Sequence, residues 1–447
     1  MAFVGANGQL IPGIITMNYK YFLDLKVEAP KNGDMPFVMS IINVLRKADA
    51  FLGMILYREV EGRFPKLTFT VINGVNCAII PFNDRMYPEL IKDAVTRSCK
   101  FLARLAGSDY NPVAIIYHQD ERLLEFQPSD IPFAITHHAP LVADLSKIFP
   151  LASDILDAFG TDSKSWTKVT ELKCLQEQGL RVILNRSDCY VLAMSAIQGD
   201  FFRTALREKG MLTDRVLDFP PPLQAMLSGQ SPRLCKVPLH GVNRSKFLFT
   251  AVARLTFFKH AEILVDGAIL LLERGITDLS IFIAGGDESN PHRQIRSDLL
   301  NRVPLHLRHY FHFIQRIPQE DLYSYFNSQR VQKTGVFVCC SRYETLGITP
   351  LEAALSGDST VITDSTQVEA SRYFPPEYRF KENPTALADC LEGLFRADLS
   401  SGGKELMQYV EQSTEARGDF HTEFLQAWSQ ISEASVNRSK TKYRIVK

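Results

Sequence analysis

The 447-residue sequence lacks net charge, since lysine plus arginine and aspartate plus glutamate each total 50. No global field therefore draws the chain toward nucleic acid or anionic lipid, and any anion site must be local. Apolar runs approaching the roughly 18 residues of a membrane span are also missing. The opening stretch MAFVGANGQLIPGIITMNYK has neither the basic start nor the apolar segment of a signal peptide, so a soluble protein is expected. None of the eight cysteines (Cys77, Cys99, Cys174, Cys189, Cys235, Cys339, Cys340, Cys390) forms a CxxC pair, and most lie in apolar stretches. Buried thiols of a reducing compartment fit that pattern, and the expected location is the cytoplasm. Short repeats, low-complexity tracts and an HExxH spacing are absent too. Asn-Arg-Ser triplets begin at Asn185, Asn243 and Asn437, but without a secretory route they carry no weight.

What the chain does have is apolar material, 45% of its residues, enough for two or three domains. In the C-terminal half short β-rich runs alternate with helical patterns. KFLFTAVA (246–253), LSIFIA (279–284), 312–314, 335–340 and 360–363 read as strands. AEILVDGAILLLER (261–274), HRQIRSDLLNRV (292–303) and 321–327 read as the helices between them. Such alternation means βαβ units and a parallel sheet covered by helices. The N-terminal half repeats the theme less cleanly: helices at 36–47 and 87–105, strands at 51–57, 71–81, 113–117 and 133–136. A linker is expected over 218–237, around Pro220-Pro221-Pro222. The expected class is α/β, with two parallel-sheet domains facing one another across a cleft.

One stretch concentrates chemistry: SRYETLGITPLEAALSG, Ser341 to Gly357, with Glu344 and Glu352 eight positions apart. Thr349-Pro350-Leu351-Glu352 fits a capping box with proline at the first helical position, and Glu352 alone is as well explained by capping as by binding. Glu344 has no such explanation. It lies at the carboxyl end of a parallel strand, where such sheets bind ligands. Leu346-Gly347-Ile348 would present backbone N–H groups at a helix N-terminus, a geometry that favours anions, while carboxylates beside it suit sugar hydroxyls. Arg254 and Lys259 follow the first strand of this half, with Lys259 at the start of the next helix. A cation there opposes the helix dipole, and a bound anion would relieve the conflict.

These residues resemble the Arg-x4-Lys and Glu-x7-Glu signatures of retaining glycosyltransferases of family four, which have the GT-B fold of two Rossmann-like domains around a central cleft. ARLTFFK (253–259), IFIAGGD (281–287), FIQRIPQEDLYSYFN (313–327) and the stretch 341–357 are similar to that family's segments in register, over about residues 247–392. The resemblance implies an acceptor-side domain at 1–235, a nucleotide-sugar domain at 240–418 and a terminal helix, about 419–447, that returns to the first domain. It implies that Arg254 and Lys259, with amides around Leu346, Gly347 and Ile348, hold the diphosphate of a UDP- or GDP-type donor. Glu344 would contact the donor sugar, Glu352 the ribose, and the backbone at Arg316 and Ile317 the nucleobase. In the N-terminal half Gly33, in NGDMPFVMSIINVLRK, and His138, in ITHHAPLVADL, match the family's glycine loop and sugar-approaching histidine. Ala253, His260 and Thr345-Leu346 depart from the family's usual residues, which leaves the donor sugar open.

The mechanism so implied is metal-free transfer with retention, the fixed cations stabilising the leaving diphosphate. No cofactor is expected beyond the donor substrate, and the acceptor's class is open. A metal site built from His118, Asp120, His137 and His138 is disfavoured by spacing, and no Asp-x-Asp occurs to support a metal-dependent transferase of the other common fold. The rival readings are a non-hydrolysing sugar-nucleotide epimerase and a degenerate transferase serving as a binding protein. His118, which ends a buried strand in IIYHQDER, reads first as a polar strand-end residue.

Overall fold

The computed structural model describes residues 10–19, 22, 34–61, 66–83, 87–107, 113–118, 121–137, 141–158, 166–219, 223, 246–326, 333–415 and 420–444. The chain divides into two compact units: Met1–Asp144, Thr170–Pro222 and Asp419–Lys447 form the first, Leu145–Val169 and Leu223–Gly418 the second. Most of the 218–237 segment falls outside the described residues.

The first unit is built on β1 (Gly13–Asn18), β2 (Phe51–Glu59), β3 (Thr68–Ile72), β4 (Val75–Phe82), β5 (Ala114–His118), β6 (Phe133–His137), β7 (Cys189–Ala193) and β8 (Val216–Asp218). They form one sheet in the order β3-β4-β2-β1-β5-β6-β7-β8, parallel except for the β3/β4 pair. Its strands are apolar on both sides because both sides are covered. Ile55 and Tyr57 of β2 enter one core with the helices Pro88–Leu105 and Ala196–Glu208, while Met54 and Leu56 enter another with the helices Asp34–Lys47 and Phe420–Arg444. The last helix is fastened by Trp428, whose ring is wholly buried and whose Nε1 donates to the Ile11 carbonyl at 2.8 Å. Ser432 Oγ accepts from the Ile11 amide at 3.2 Å.

The single strand expected over 71–81 is instead two. Asn73 and Gly74 take φ of 51° and 70°, the paired left-handed turn that closes a tight hairpin, and β3 runs antiparallel to β4. The flanking residues are apolar enough to hide this turn inside what reads as one run.

The second unit holds β9 (Lys246–Val252), β10 (Leu279–Gly285), β11 (Phe311–Ile314), β12 (Gly335–Cys339), β13 (Ser359–Thr363) and β14 (Arg379–Phe380), all parallel, in the order β11-β10-β9-β12-β13-β14. The chain starts in the middle, winds outward to β11, then returns to β12 and winds outward the other way. The strand order therefore reverses between β9 and β12, and the loops leaving their carboxyl ends diverge around a crevice. Among the described residues no helix is long and apolar enough to cross a membrane.

Candidate donor site

The two loops flanking that reversal carry the residues singled out by spacing. After β9 the chain passes Arg254, makes a short 3-10 turn over Phe257–Lys259, and enters the helix Ala261–Glu273 through His260. After β12 it passes Ser341 to Gly347 and enters the helix Ile348–Leu355. The loops meet where Lys259 Nζ forms an ion pair with Glu344 Oε1, an oxygen that also accepts from Ser341 Oγ at 2.7 Å. Lys259 and Glu344 are 27% and 17% exposed, so a diffusing ligand can reach the pair while its surroundings limit screening by water. Below it, burial and then the negative charge of Glu344 push the Cys339 thiol up to about 11.

Glu344 is held from behind as well. Its amide donates to the Gln367 carbonyl at 3.0 Å, and its carbonyl accepts from the Glu369 amide at 3.2 Å, which pins the loop to the segment after β13. Gly347 then turns with φ of 83°, and a Cβ there would lie 2.8 Å from Ala370 Cβ. Only glycine meets both demands.

This turn corrects the capping box. The helix begins at Ile348 with Gly347 as its cap and no side-chain cap bond, so Thr349 sits inside the first turn. Pro350 falls where an amide would still lack an intrahelical partner, so its missing N–H costs little. Leu346 and Glu352 are buried at 3% and 2% exposure, and Glu352 sits in the helix wall. The dipole argument for Lys259 is also revised. Lys259 precedes the helix by a residue, and the carboxylate it meets is the protein's own Glu344.

Arg254 is exposed and has no hydrogen-bond or ion-pair partner among the described residues. Its loop is tied to its neighbours in series: the Gly286 amide donates to the Ala253 carbonyl at 3.3 Å, and the Arg316 amide donates to the Gly286 carbonyl at 2.8 Å. Arg316, half-buried beside Ile317, is thus joined through one residue to the loop of Arg254. The structure brings Arg254, Lys259, Glu344, Leu346, Gly347, Ile348, Glu352, Arg316 and Ile317 to the carboxyl edge of one sheet. Gly33 and His138 lie outside the described residues. His118, at the carboxyl end of β5, is 3% exposed, its Nδ1 lies 2.8 Å from Thr136 Oγ1, and burial lowers its pKa to about 3. It is a neutral imidazole at ordinary pH.

The family model of the glycosyl transferases, group 1, covers residues 238–371. The second unit carries a glycosyltransferase domain. That span contains Arg254, Lys259, Arg316, Glu344 and Glu352. No curated protein sequence matches the chain. Among solved structures, the UDP-forming trehalose-phosphate synthase of Burkholderia xenovorans is 12% identical at a TM-score of 0.57, over 94% of this chain and 99% of that one. The sucrose-phosphate synthase of Thermosynechococcus elongatus is 15% identical at 0.58, over 95% and 100%. A trehalose-6-phosphate protein of E. coli bound with UDP-2-fluoro glucose is 11% identical at 0.59, over 94% and 99%. At these identities the likeness establishes the fold, and the fold is GT-B.

The second unit also holds side chains that spacing did not single out. Ser341 and Arg342 lie inside the motif stretch, where two glutamates drew the attention. Glu382 lies 40 residues beyond Arg342, which its carboxylate meets at 2.9 Å, and no local pattern announces it.

Proposed function

We propose that the chain transfers a sugar from a nucleoside diphosphate donor to an acceptor hydroxyl, with Arg254 and Lys259 gripping the diphosphate. The observation that carries this reading is the contact between Lys259 and Glu344 across the point where the strand order reverses. In a nucleotide sugar the diphosphate and the sugar ring share a bond. A cation and a carboxylate in contact can therefore serve both parts of one molecule: Lys259 takes the phosphate oxygens, and Glu344 accepts from sugar hydroxyls. The first-turn amides of Ile348 and Thr349, left without a side-chain cap, add donors beside them. Glu352 would take the ribose hydroxyls, and the backbone at Arg316 and Ile317 the base.

Breaking the anomeric bond puts negative charge on the leaving diphosphate, and preorganised donors stabilise it without a reorganisation cost. The reading extends to retention of configuration and to independence from metal, with a diphosphate oxygen taking the acceptor's proton. The UDP-2-fluoro glucose bound to the E. coli neighbour supports a UDP-sugar donor. Gly33, near the reaction centre, and His138, toward the transferred sugar, keep the roles that the family resemblance implies.

The test is incubation with UDP-glucose, UDP-N-acetylglucosamine and GDP-mannose, with and without EDTA, following nucleoside diphosphate by chromatography. Release that persists in EDTA and accelerates with an acceptor is expected. A new sugar nucleotide without net release would establish an epimerase. No release and no thermal stabilisation by any of the three would leave a binding protein of another kind.

A further inference from the structure

His260 sits one residue past Lys259 in a backbone conformation that side chains rarely adopt, with φ of 45° and ψ of 46°, and it is buried. Its Nε2 lies 2.5 Å from Arg342 Nη2, and because arginine only donates, Nε2 is the acceptor and the ring proton is on Nδ1. Nδ1 in turn faces Glu382 Oε1 at 3.1 Å, and the same oxygen accepts from Arg342 Nε at 2.9 Å. The adjacent His260 imidazole and, after it, the Arg342 guanidinium hold the Glu382 carboxyl below its usual range against the opposing effect of burial. The Arg342 guanidinium also lies over the Phe257 ring, 3.9 Å from its centroid, and the Arg342 amide donates to the Phe258 carbonyl at 2.8 Å.

Arg342 thus holds the residue on each side of Lys259, Phe258 by its main chain and His260 by its side chain. It does so from a position two residues before Glu344. We infer that Arg342, His260 and Glu382 form a positioning network that sets Lys259 against Glu344. The role in turnover rests on the proposed donor site; the geometric role does not. The left-handed backbone at 260 carries the chain from Lys259 into the helix, and the imidazole, bonded to Arg342 and 3.1 Å from Glu382, keeps that strained backbone from relaxing. Glu382, just past β14, ties the network to the loop leaving the sheet's edge strand.

His260→Gly is the decisive variant, because glycine takes a φ of 45° freely and the change removes only the imidazole. Arg342→Ala is the companion. Two readouts are taken on the full chain beside its melting temperature: turnover of UDP-glucose, and the rate at which N-hydroxysuccinimidyl acetate labels Lys259, read by peptide mass spectrometry. In His260→Gly the melting temperature stays near native, kcat falls about 10-fold or more with KM nearly unchanged, as loss of placement rather than of binding requires, and Lys259 labels several-fold faster. Other lysines keep their rates. A native labelling rate at Lys259 in both variants overturns the network, whether or not the wild type turns over any donor. Absence of nucleoside diphosphate release by the wild type sinks the transferase reading instead, and the labelling still judges the geometry.

Discussion

Both units bury an ionisable group in a parallel sheet, and the two groups pull stability in opposite directions with pH. In the first unit His118 ends β5, and burial lowers its pKa from 6.5 to about 3. The unfolded chain then binds a proton that the folded one refuses, so this contribution is present above pH 6.5 and is lost as pH falls toward 3. In the second unit Asp358, at the edge of β13, is 1% exposed, neither carboxyl oxygen has a partner among the described residues, and burial holds its pKa well above 3.8. Here the folded chain keeps a proton that the unfolded one releases, so the contribution is full below about 3.8 and fades as pH rises toward the folded value. The two sheets share an architecture yet answer acid in contrary ways. His118 lies at the carboxyl edge of its sheet, whereas Asp358 lies at the opposite, amino edge of its own, away from Lys259 and Glu344.

That contrast can be broken first at Trp428. Trp428→Ala removes a wholly buried indole and its bond to Ile11, and should cost about 3 to 5 kcal/mol. In calorimetry the transition that it lowers is thereby assigned to the first unit. Lys259→Ala acts on the second unit in the opposite fashion. Removing one preorganised donor should lower kcat about 100-fold to 1000-fold, while loss of a partly exposed ion pair moves chemical stability by only about 1 kcal/mol or less. Gly347→Ala should destabilise the second unit by about 1 to 3 kcal/mol through its left-handed backbone and the clash with Ala370, measured by urea denaturation.

The pH slopes are the smallest effects and the sharpest test of the comparison. Each group contributes at most about 1.4 kcal/mol per pH unit. His118→Gln should flatten the first unit's loss of stability between pH 6.5 and 3, and Asp358→Asn the second unit's loss above pH 4. Melting curves across that range check both, and a slope of the same sign in the two units would contradict the burial of one group.

Five of the second unit's six strands were legible because they are short apolar runs rich in β-branched and aromatic residues, while β14, only two residues long, leaves no such run. Arg254, Lys259, Glu344 and Glu352 were legible because two fixed spacings bracket two strand ends. The β3/β4 turn was not, since Asn73-Gly74 is embedded in apolar residues that read as one strand. Nor was the helix start at Ile348: Thr349 is a good cap by type, but the fit of Gly347 against Ala370 decides where the turn falls, and Ala370 belongs to another segment.

By itself the sequence determined two parallel sheets and which loops carry charge, because hydrophobic runs and turn residues act over a few positions and need no distant partner. Only the tertiary structure decided that Lys259 would meet Glu344, 85 residues away, and that Arg342, His260 and Glu382 would converge behind them. Those contacts depend on the strand order, which makes β9 and β12 neighbours and brings their loops together at one edge. No local pattern encodes that adjacency, since it is set by how whole βαβ units bury their faces against one another.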